Sequence, residues 1–392
     1  PNSAIKKIDL VKKNLQLLPK ADLVFNCQFE KNISVKKGIA EEETYSVSAS
    51  VLDNGNTAAS LKNLELVFNK SNKTNAEFQF SLTNAKSWSP SSPNVYKIQV
   101  QLYRNSELID EITKSFTLFE LSYEGETLTL NGQPSILNGT TYLGSYNGNG
   151  NLISYDELEK DLKQIKEAGF NSVRFAKIIP HPYSVYLCEK LGLLAFIELP
   201  ANSIPESFVE ESNFVTRAEN YLRVYLNEYS KFSAVAGVGL GSSYIADSPH
   251  HIGCIDRLSN FVKSNYGFFT YASFIGFPER TIENLDFYGI EIFSKPVEYV
   301  GEKISSSINS LGKNKIFFSE ITYPYFNGSK NGYDTPNSIE AQAKYINDFI
   351  SLSKNLGLGG FFINSLFDYS GEYSSFYAGY SGGNVYKVGI LG

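Results

Sequence analysis

Two patterns of apolar and polar positions divide the chain near residue 120. Before that point, apolar and polar residues alternate with a period of two, which is typical of strands that bury one face. The strands predicted from this alternation are residues 24–29, 44–52, 64–68, 76–82, 95–103 and 112–119. Short strands at this spacing, separated by turns such as Asp53-Asn54-Gly55, predict a β-sandwich over residues 21–120. A further alternating segment, residues 4–11, is expected to be the last strand of a truncated preceding element within residues 1–20.

After residue 120 the pattern changes to short apolar runs that alternate with helical periodicity. The predicted strands are residues 136–143, 172–175, 194–198, 235–240, 268–274, 286–293, 316–320 and 360–366. The predicted helices include residues 155–168, 183–191, 213–229, 255–264, 297–309 and 338–356. Strands and helices in this order predict a (β/α)8 TIM barrel over residues 121–392. A doubly wound open sheet is the alternative, although no Gly-x-Gly-x-x-Gly loop supports it.

Composition and charge argue against two classes of protein, those that bind nucleic acid and those that span a membrane. A chain of 392 residues with 42% hydrophobic residues can bury large cores in more than one domain. The net charge of −6 and the lack of a basic run argue against a nucleic-acid partner. No apolar run reaches the roughly 20 residues that span a bilayer, and no signal peptide opens the sequence shown. We therefore expect neither nucleic acid nor a membrane segment.

The metal-binding residue types are sparse. The three cysteines, Cys27, Cys188 and Cys254, are too far apart for a zinc motif or a disulfide framework. Apart from His181, the histidines form one adjacent pair, His250-His251, which is the weak alternative for a metal site. We expect no metal and no cofactor.

The ends and the general composition suggest a processed form or a fragment. The chain begins at Pro1 and contains no methionine, so we expect that it belongs to a longer protein with additional domains. These domains, or separate protein partners, are the further binding partners that the sequence allows. Its richness in Tyr, Asn and Ser suggests a periplasmic or extracellular location.

The stretch at residues 315–323 carries the first candidate for chemistry. It is a run of β-forming residues that ends in the carboxylate Glu320. A buried parallel strand of this kind delivers its last side chains to the C-terminal rim of a barrel, where such folds keep their chemistry. The alternative is that Glu320 only caps or pairs with a neighbouring loop.

Other stretches carry a resemblance to a known family. Residues 165–200 include the run Cys-Glu-Lys-Leu-Gly-Leu-Leu-Ala-Phe-Ile-Glu-Leu-Pro, residues 130–134 read Leu-Asn-Gly-Gln-Pro, and residues 88–90 and 94–96 read Trp-Ser-Pro and Asn-Val-Tyr. These motifs resemble glycoside hydrolase family 2, which contains β-galactosidases, β-glucuronidases and β-mannosidases. The resemblance implies an immunoglobulin-like β-sandwich followed by a TIM barrel, with residues 1–20 as the remnant of a jelly roll. It also implies a carbohydrate partner, a β-linked glycoside or polysaccharide.

The family resemblance implies a retaining hydrolysis by two carboxylates, one a nucleophile and one a general acid. Glu320, in Ser-Glu-Ile, matches the nucleophile position at the seventh strand. In the family the fourth strand ends in Gly-Asn-Glu, where Glu is the acid/base and Asn holds the sugar 2-hydroxyl. Here Ser242 and Ser243 take those two positions. Since a serine hydroxyl is too weak an acid to protonate a leaving group, we expect a loss of about 10² to 10⁴ in rate.

Further positions of the family's sugar site fall into two groups. Three of them are replaced: Lys177 stands for a histidine, Glu291 for an asparagine and Asn364 for a tryptophan. The retained positions that line the pocket are Arg174, Glu198 and Asp368. An alternative for Arg174 and Glu198 is a buried ion pair retained after activity has been lost.

Two functions follow from these residues. The first, favoured by the replacements at the barrel rim, is a catalytically impaired relative that serves as a carbohydrate-binding or structural module. The second is an active retaining β-glycosidase with Glu320 as nucleophile and an acid supplied by Asp247, Glu291 or the substrate. A raised pKa on Asp247 or Glu291 beside Glu320 favours the second function, whereas a rim without such a pair favours the first.

Overall fold

The computed structural model describes residues 3–14, 19–31, 43–124, 127–143, 153–325, 336–370 and 385–391. The chain folds into two compact units, Pro1–Glu120 and Leu121–Gly392. Each unit has its own hydrophobic core.

The first unit is a sandwich of two antiparallel sheets. Its strands are β1 (Ser3–Asn14), β2 (Ala21–Lys31), β3 (Tyr45–Asp53), β4 (Asn56–Glu65), β5 (Lys73–Leu82), β6 (Val95–Arg104) and β7 (Glu107–Thr117). One sheet has the order β1-β2-β5 and the other the order β4-β3-β6-β7. In β5, buried and exposed residues alternate along the strand, and its buried face joins the core through Phe78 and Phe80. The period-two pattern therefore reports this buried face.

The structure corrects one strand predicted for this unit and shows the pairing partner of another. The strand predicted at residues 64–68 was wrong, because the strand β4 lies at Asn56–Glu65. β4 is an edge strand in which almost every side chain is exposed. It is held by backbone hydrogen bonds to β3, so its sequence does not show an alternation of apolar and polar residues. The segment around residues 4–11 forms a strand, as predicted, and this strand pairs with β2 within the first unit.

The second unit begins with a small antiparallel sheet and continues as a closed barrel. The small sheet contains β8 (Leu121–Glu124), β9 (Thr127–Leu130) and β10 (Gln133–Pro134). The barrel strands are β11 (Leu137–Thr141), β12 (Ser172–Phe175), β13 (Leu194–Glu198), β14 (Val235–Gly239), β16 (Phe269–Ile275), β17 (Phe287–Phe293), β18 (Ile316–Thr322) and β19 (Gly360–Ile363). Short strands β15 (Tyr244–Ile245), β20 (Tyr369–Ser370) and β21 (Val385–Tyr386) complete the set.

Parallel pairing closes the barrel. β11 pairs with both β12 and β19, and β14 pairs with β16, so the described barrel strands form a ring. The predicted TIM barrel is confirmed, and the open sheet is excluded because a closed ring has no edge. The helices are α1 (Tyr155–Glu167), α2 (Pro182–Leu191), α3 (Glu206–Val209), α4 (Ser212–Tyr229), α5 (Pro249–Tyr266), α6 (Val297–Leu311) and α7 (Ile339–Leu356), with a 3-10 turn at Lys313–Lys315.

Local sequence fixes the helix ends. At α1, the side chain of Ser154 accepts a hydrogen bond from the backbone of Glu157, and Glu157 bonds back to Ser154. This reciprocal capping satisfies amide groups that a helix leaves unpaired. α2 ends at Gly192, whose φ of 77° lies in the left-handed region that glycine adopts without strain. α1 and α2 therefore begin and end close to where the sequence predicted.

A layer of aromatic rings fills the barrel below the site. Phe196, Tyr271, Phe317 and Phe362 contact one another in a ring, with centroid distances of 5.3–5.8 Å. Gly139 on β11 makes room for this layer, because a Cβ there would lie 2.4 Å from the ring of Phe362. The barrel interior is therefore packed with side chains beneath its C-terminal rim.

Candidate active site

Most of the predicted site residues lie at the C-terminal ends of barrel strands. Their side chains are buried: Arg174 on β12, Glu198 on β13, Ser242 and Ser243 after β14, Glu291 on β17, Glu320 on β18 and Asn364 after β19. Parallel strands bring these ends to one rim.

Arg174 is the centre of a hydrogen-bonded network. Its Nη2 lies 2.7 Å from Oε2 of Glu198, and its Nη1 lies 3.0 Å from Oε1 of Glu320. Nη2 also donates to the hydroxyl groups of Ser242 at 3.0 Å and Ser273 at 3.3 Å. Burial lowers the pKa of Arg174, but the surrounding carboxylates raise it more strongly, so the guanidinium stays charged. The expected pair of Arg174 and Glu198 exists, and Glu320 extends it.

Glu198 is held from several sides. The hydroxyl of Tyr271 donates to its Oε2 at 3.0 Å, and the hydroxyl of Ser242 donates to its Oε1. The backbone N–H of Lys177 donates to the same Oε1 at 3.2 Å. Glu198 therefore orients Arg174 and the loop after β12, and its oxygens are engaged within the protein.

Glu320 forms an ion pair with a second positively charged side chain, that of Lys177. Nζ of Lys177 lies 2.9 Å from its Oε1. Lys177 has a φ of 61°, in the left-handed region, which is uncommon for a residue with a long side chain. Burial lowers the pKa of Lys177, but Glu320 and Glu291 attract its charge and hold the pKa above its ordinary value. Glu320 therefore faces two charged groups, Arg174 and Lys177.

Glu291 bonds to Ser243, the residue that the sequence resemblance places at an acid/base position. Its Oε1 accepts the backbone N–H of Ser243 at 2.6 Å, and its Oε2 lies 2.8 Å from the Ser243 hydroxyl. That hydroxyl also lies 3.1 Å from Oδ1 of Asn202. A hydroxyl has one proton, so it can donate to both oxygens only in alternation. A protonated Glu291 resolves this, because it donates to Ser243 while Ser243 donates to Asn202.

The electrostatics agree with a proton on Glu291. Burial and the negative charge of Glu320 raise the pKa of Glu291 to about 7, and Lys177 and Arg174 oppose this increase. Glu291 and Glu320 are partners in the register of β17 and β18. The register shifts between Ile290 and Glu291, so that Ser319 on β18 is an extra residue. This bulge places Glu320 beside Glu291, in a position that Ser319 would otherwise occupy.

Two predicted residues lie outside this network as far as the described contacts show. Asn364 donates from its Nδ2 to the hydroxyl of Thr322 at 3.0 Å. Asp368 accepts from the Tyr325 hydroxyl at 3.0 Å and from the backbone N–H of Gly389 at 2.9 Å. Asp368 therefore ties together segments of the chain that follow β18 and β19.

The other candidate acid, Asp247, has a different role. Its Oδ1 accepts the backbone N–H groups of Glu279 and Arg280, both at 2.9 Å. These bonds attach the loop after β14 to the loop after β16. The described contacts join Glu291, and not Asp247, to the group around Glu320.

Sequence reasoning did not identify Tyr271, Ser273 or Asn202. Tyr271 and Ser273 lie on β16 and bond to Glu198 and Arg174, but every central residue of this strand is buried and its apolar pattern does not single out these two positions. Asn202 follows the Glu-Leu-Pro-Ala run after β13 and meets Ser243 only in the folded chain.

The histidines and cysteines have other environments. Nδ1 of His251 accepts the backbone N–H of Ile245, and His250 lies 3.0 Å from Glu210. Within the described ranges, no three His, Cys, Asp or Glu side chains cluster as metal ligands. The three cysteines are buried and unpaired. No helix in the described part of the chain is long and apolar enough to cross a membrane.

Sequence comparison decides the family. The model for glycosyl hydrolases family 2 matches residues 13–118, and the model for the TIM barrel domain of the same family matches residues 121–236. The chain belongs to glycoside hydrolase family 2. The first family model ends at residue 118 and the second begins at residue 121, so the two models meet close to the division between the two compact units.

Individual relatives of this family 2 chain match only in part. A Formosa agariphila protein provisionally named a β-glucuronidase is 33% identical over 39% of this chain and 18% of its own length. A β-galactosidase of Psychromonas ingrahamii is 28% identical over 30% of this chain and 12% of its own length. The solved β-glucuronidase of Bacteroides uniformis superposes with a TM-score of 0.80 at 15% identity, covering 100% of this chain and 49% of that protein. At this identity the superposition shows the fold, and the chain spans about half of that structure.

Proposed function

We propose that this chain hydrolyses β-linked glycosides with retention, with Glu320 as nucleophile and Glu291 as general acid. The observation that carries the proposal is the position of Glu291 against Ser243, together with its raised pKa. Its carboxyl group bonds to both the backbone and the side chain of Ser243, and its pKa is raised to about 7. A general acid works best with a pKa near the operating pH. Membership of family 2 supports a carbohydrate substrate.

The chemistry requires two steps. A carboxylate oxygen of Glu320 attacks the anomeric carbon, while the proton of Glu291 passes to the glycosidic oxygen and the leaving alcohol departs. Water then attacks the glycosyl ester, Glu291 takes a proton from that water, and the Glu320 carboxylate is released. Arg174 and Lys177 hold Glu320 ionised for the first step. In this proposal the acid is Glu291 on the sixth barrel strand, β17, and Ser243 after the fourth strand, β14, has no acidic group.

A second candidate is a carbohydrate-binding relative without turnover. The observation in its favour is the double ion pair on Glu320, with Arg174 Nη1 at 3.0 Å and Lys177 Nζ at 2.9 Å. Two cations stabilise a carboxylate and reduce its tendency to attack. The two candidates differ in whether Glu320 forms a bond to the sugar.

Mass spectrometry after incubation with 2-deoxy-2-fluoro glycosides distinguishes them. These reagents with activated leaving groups trap the nucleophile and need no general acid. We expect the mass of one fluoroglycosyl group on the peptide that contains Glu320, and none in Glu320→Gln. If galactosyl, glucosyl, mannosyl and glucuronyl reagents all leave Glu320 unmodified, the retaining mechanism is wrong and the binding role takes its place.

The role of Glu291 is tested by varying the leaving group. In Glu291→Gln we expect hydrolysis of glycosides with poor leaving groups to fall by about 10² to 10⁴, with little change for dinitrophenyl glycosides. In the unmodified protein, the rate on poor leaving groups should fall as the pH rises through about 7, because the acid loses its proton. Asp247→Asn is the matched control and should leave the leaving-group dependence unchanged. Equal losses on both kinds of substrate would assign Glu291 a structural role.

A further inference from the structure

The loops that follow β13 and β14 pair with each other beside the candidate active site. Asn202 and Ser242 form a parallel bridge, and the backbone N–H of Ser242 donates to the carbonyl oxygen of Ala201 at 2.9 Å. Gly241 permits this close approach, because a Cβ there would lie 2.6 Å from the Ala201 carbonyl oxygen. The paired backbones therefore hold Asn202 next to Ser243, whose hydroxyl lies 3.1 Å from Oδ1 of Asn202.

The amide oxygen of Asn202 determines where the single proton of the Ser243 hydroxyl points. An amide oxygen only accepts hydrogen bonds, so the hydroxyl must donate when it bonds to Oδ1 of Asn202. The lone pairs of the Ser243 oxygen then face Oε2 of Glu291, which is 2.8 Å away. Two oxygens at this distance need a proton between them, and only Glu291 can supply it.

Without this acceptor, the Ser243 hydroxyl is free to turn toward Glu291. A hydroxyl that donates to a carboxylate stabilises the ionised form, and a hydrogen bond donated by Ser243 lowers the pKa of Glu291. Asn202 competes for the same proton. It therefore favours the protonated form of Glu291.

Asn202 acts without any change in the charges near Glu291. Among the described residues, the charged side chains whose fields reach Glu291 are Glu320 on β18, Arg174 on β12, Lys177 after β12 and Lys295 after β17. Asn202 is uncharged and half-buried on a different loop, so an apolar substitution there leaves all of these charges in place. The effect of such a substitution reports the direction of one hydrogen bond.

We propose that Asn202 is a positioning residue that keeps the proton on Glu291 by accepting the hydrogen bond of the Ser243 hydroxyl. This inference rests on the proposed function, in which Glu291 is the general acid. Asn202 contacts Ser243, so it acts on the acid through that residue. The loop after β13 thus helps to keep the acid ready for the first step of hydrolysis.

Titration of the Glu291 side-chain carboxyl carbon by NMR tests this role without turnover. In Asn202→Leu we expect the midpoint to fall by about one pH unit, because the Ser243 hydroxyl then donates to the carboxylate. Asn202→Asp keeps an acceptor and adds a negative charge, so its midpoint should rise. Ser203→Ala changes the exposed neighbour on the same loop and should leave the midpoint unchanged.

A double substitution shows whether the effect passes through Ser243. In a Ser243→Ala background there is no hydroxyl to redirect, so Asn202→Leu should cause no further fall. An equal fall in that background would overturn the proposal. An unchanged midpoint in Asn202→Leu, in a variant that thermal melting shows to be folded, would also overturn it, as would a fall in Asn202→Asp.

These outcomes are distinct from a failure of the proposed hydrolysis. An unchanged midpoint in Asn202→Leu leaves Glu291 as the acid if Glu291→Gln still loses activity only on poor leaving groups. If Asn202→Leu lowers the midpoint while the fluoroglycosides leave Glu320 unmodified, the hydrolysis is wrong and the effect of Asn202 on the proton stands.

Discussion

The charge on Glu320 controls the proton on Glu291 across two neighbouring strands. The register places the two residues opposite each other, and the negative charge of Glu320 adds to burial in raising the pKa of Glu291 to about 7. Lys177 acts in the opposite direction because its positive charge favours an ionised Glu291. The proton on Glu291 therefore depends on which of its charged neighbours is present.

Substitution of these neighbours should move the pKa of Glu291 in opposite directions. Glu320→Gln removes the repulsion, so we expect the pKa to fall below about 7. Lys177→Met removes an attraction and should raise it. The measurement is a titration of side-chain carboxyl carbons by NMR, with Asp247→Asn as a control that should leave the pKa unchanged. An identical pKa in all of these variants would show that Glu320 and Lys177 do not act on Glu291.

Part of the site could be predicted from single residues. Glu198 and Glu320 follow apolar runs that end at the barrel rim, so the strand prediction alone brings them together. The contact of Glu291 with Ser243 could not be predicted in this way. It joins residues 48 positions apart, and the bulge at Ser319 that positions Glu320 leaves no mark in the apolar pattern.

Among the elements, the barrel strand β11 has a strict requirement for a small residue. A Cβ on Gly139 would lie 2.4 Å from the ring of Phe362, and Phe362 is packed against Phe196 and Phe317. We expect Gly139→Ala to lower the free energy of unfolding by about 1–3 kcal/mol, because the ring layer has little space to yield. The measurement is urea unfolding followed by circular dichroism.

A glycine on a helix provides the control for this prediction. Gly253 lies in α5, and a Cβ there would have no heavy atom within 4 Å. Gly253→Ala should therefore raise the free energy of unfolding by up to about 1 kcal/mol, because alanine favours the helix. If Gly139→Ala is as well tolerated as Gly253→Ala, the ring layer is not tightly packed.

The ends of the strands were predicted more accurately for buried strands than for exposed ones. The barrel strands β12 and β13 were predicted with their observed ends, and every residue in them is buried. An apolar run, residues 194–197, marks β13. The edge strand β4 was misplaced, because its backbone pairs with β3 while its side chains face solvent. Sequence pattern reports burial of side chains, and it does not report hydrogen bonding by the backbone.

At the scale of the whole molecule, the site exists only when the barrel is closed. Arg174 and Glu320 are 146 positions apart, and Arg174 and Ser242 are 68 positions apart, yet each pair is within hydrogen-bonding distance. The second unit, Leu121–Gly392, contains all of these residues, whereas the first unit has a separate core. Residues of the first unit are therefore expected to act on stability without changing the charges of the site.

Matched core substitutions test whether each unit depends on its own core. Phe78 in the first unit and Phe349 in the second are both fully buried. Phe78→Ala and Phe349→Ala should each cost about 3–5 kcal/mol, because each leaves a cavity. Amide hydrogen exchange measured by mass spectrometry should show faster exchange across β2, β5 and β6 in Phe78→Ala, and across α7 and β18 in Phe349→Ala. Loss of protection throughout both units in either variant would show that the chain unfolds as one cooperative body.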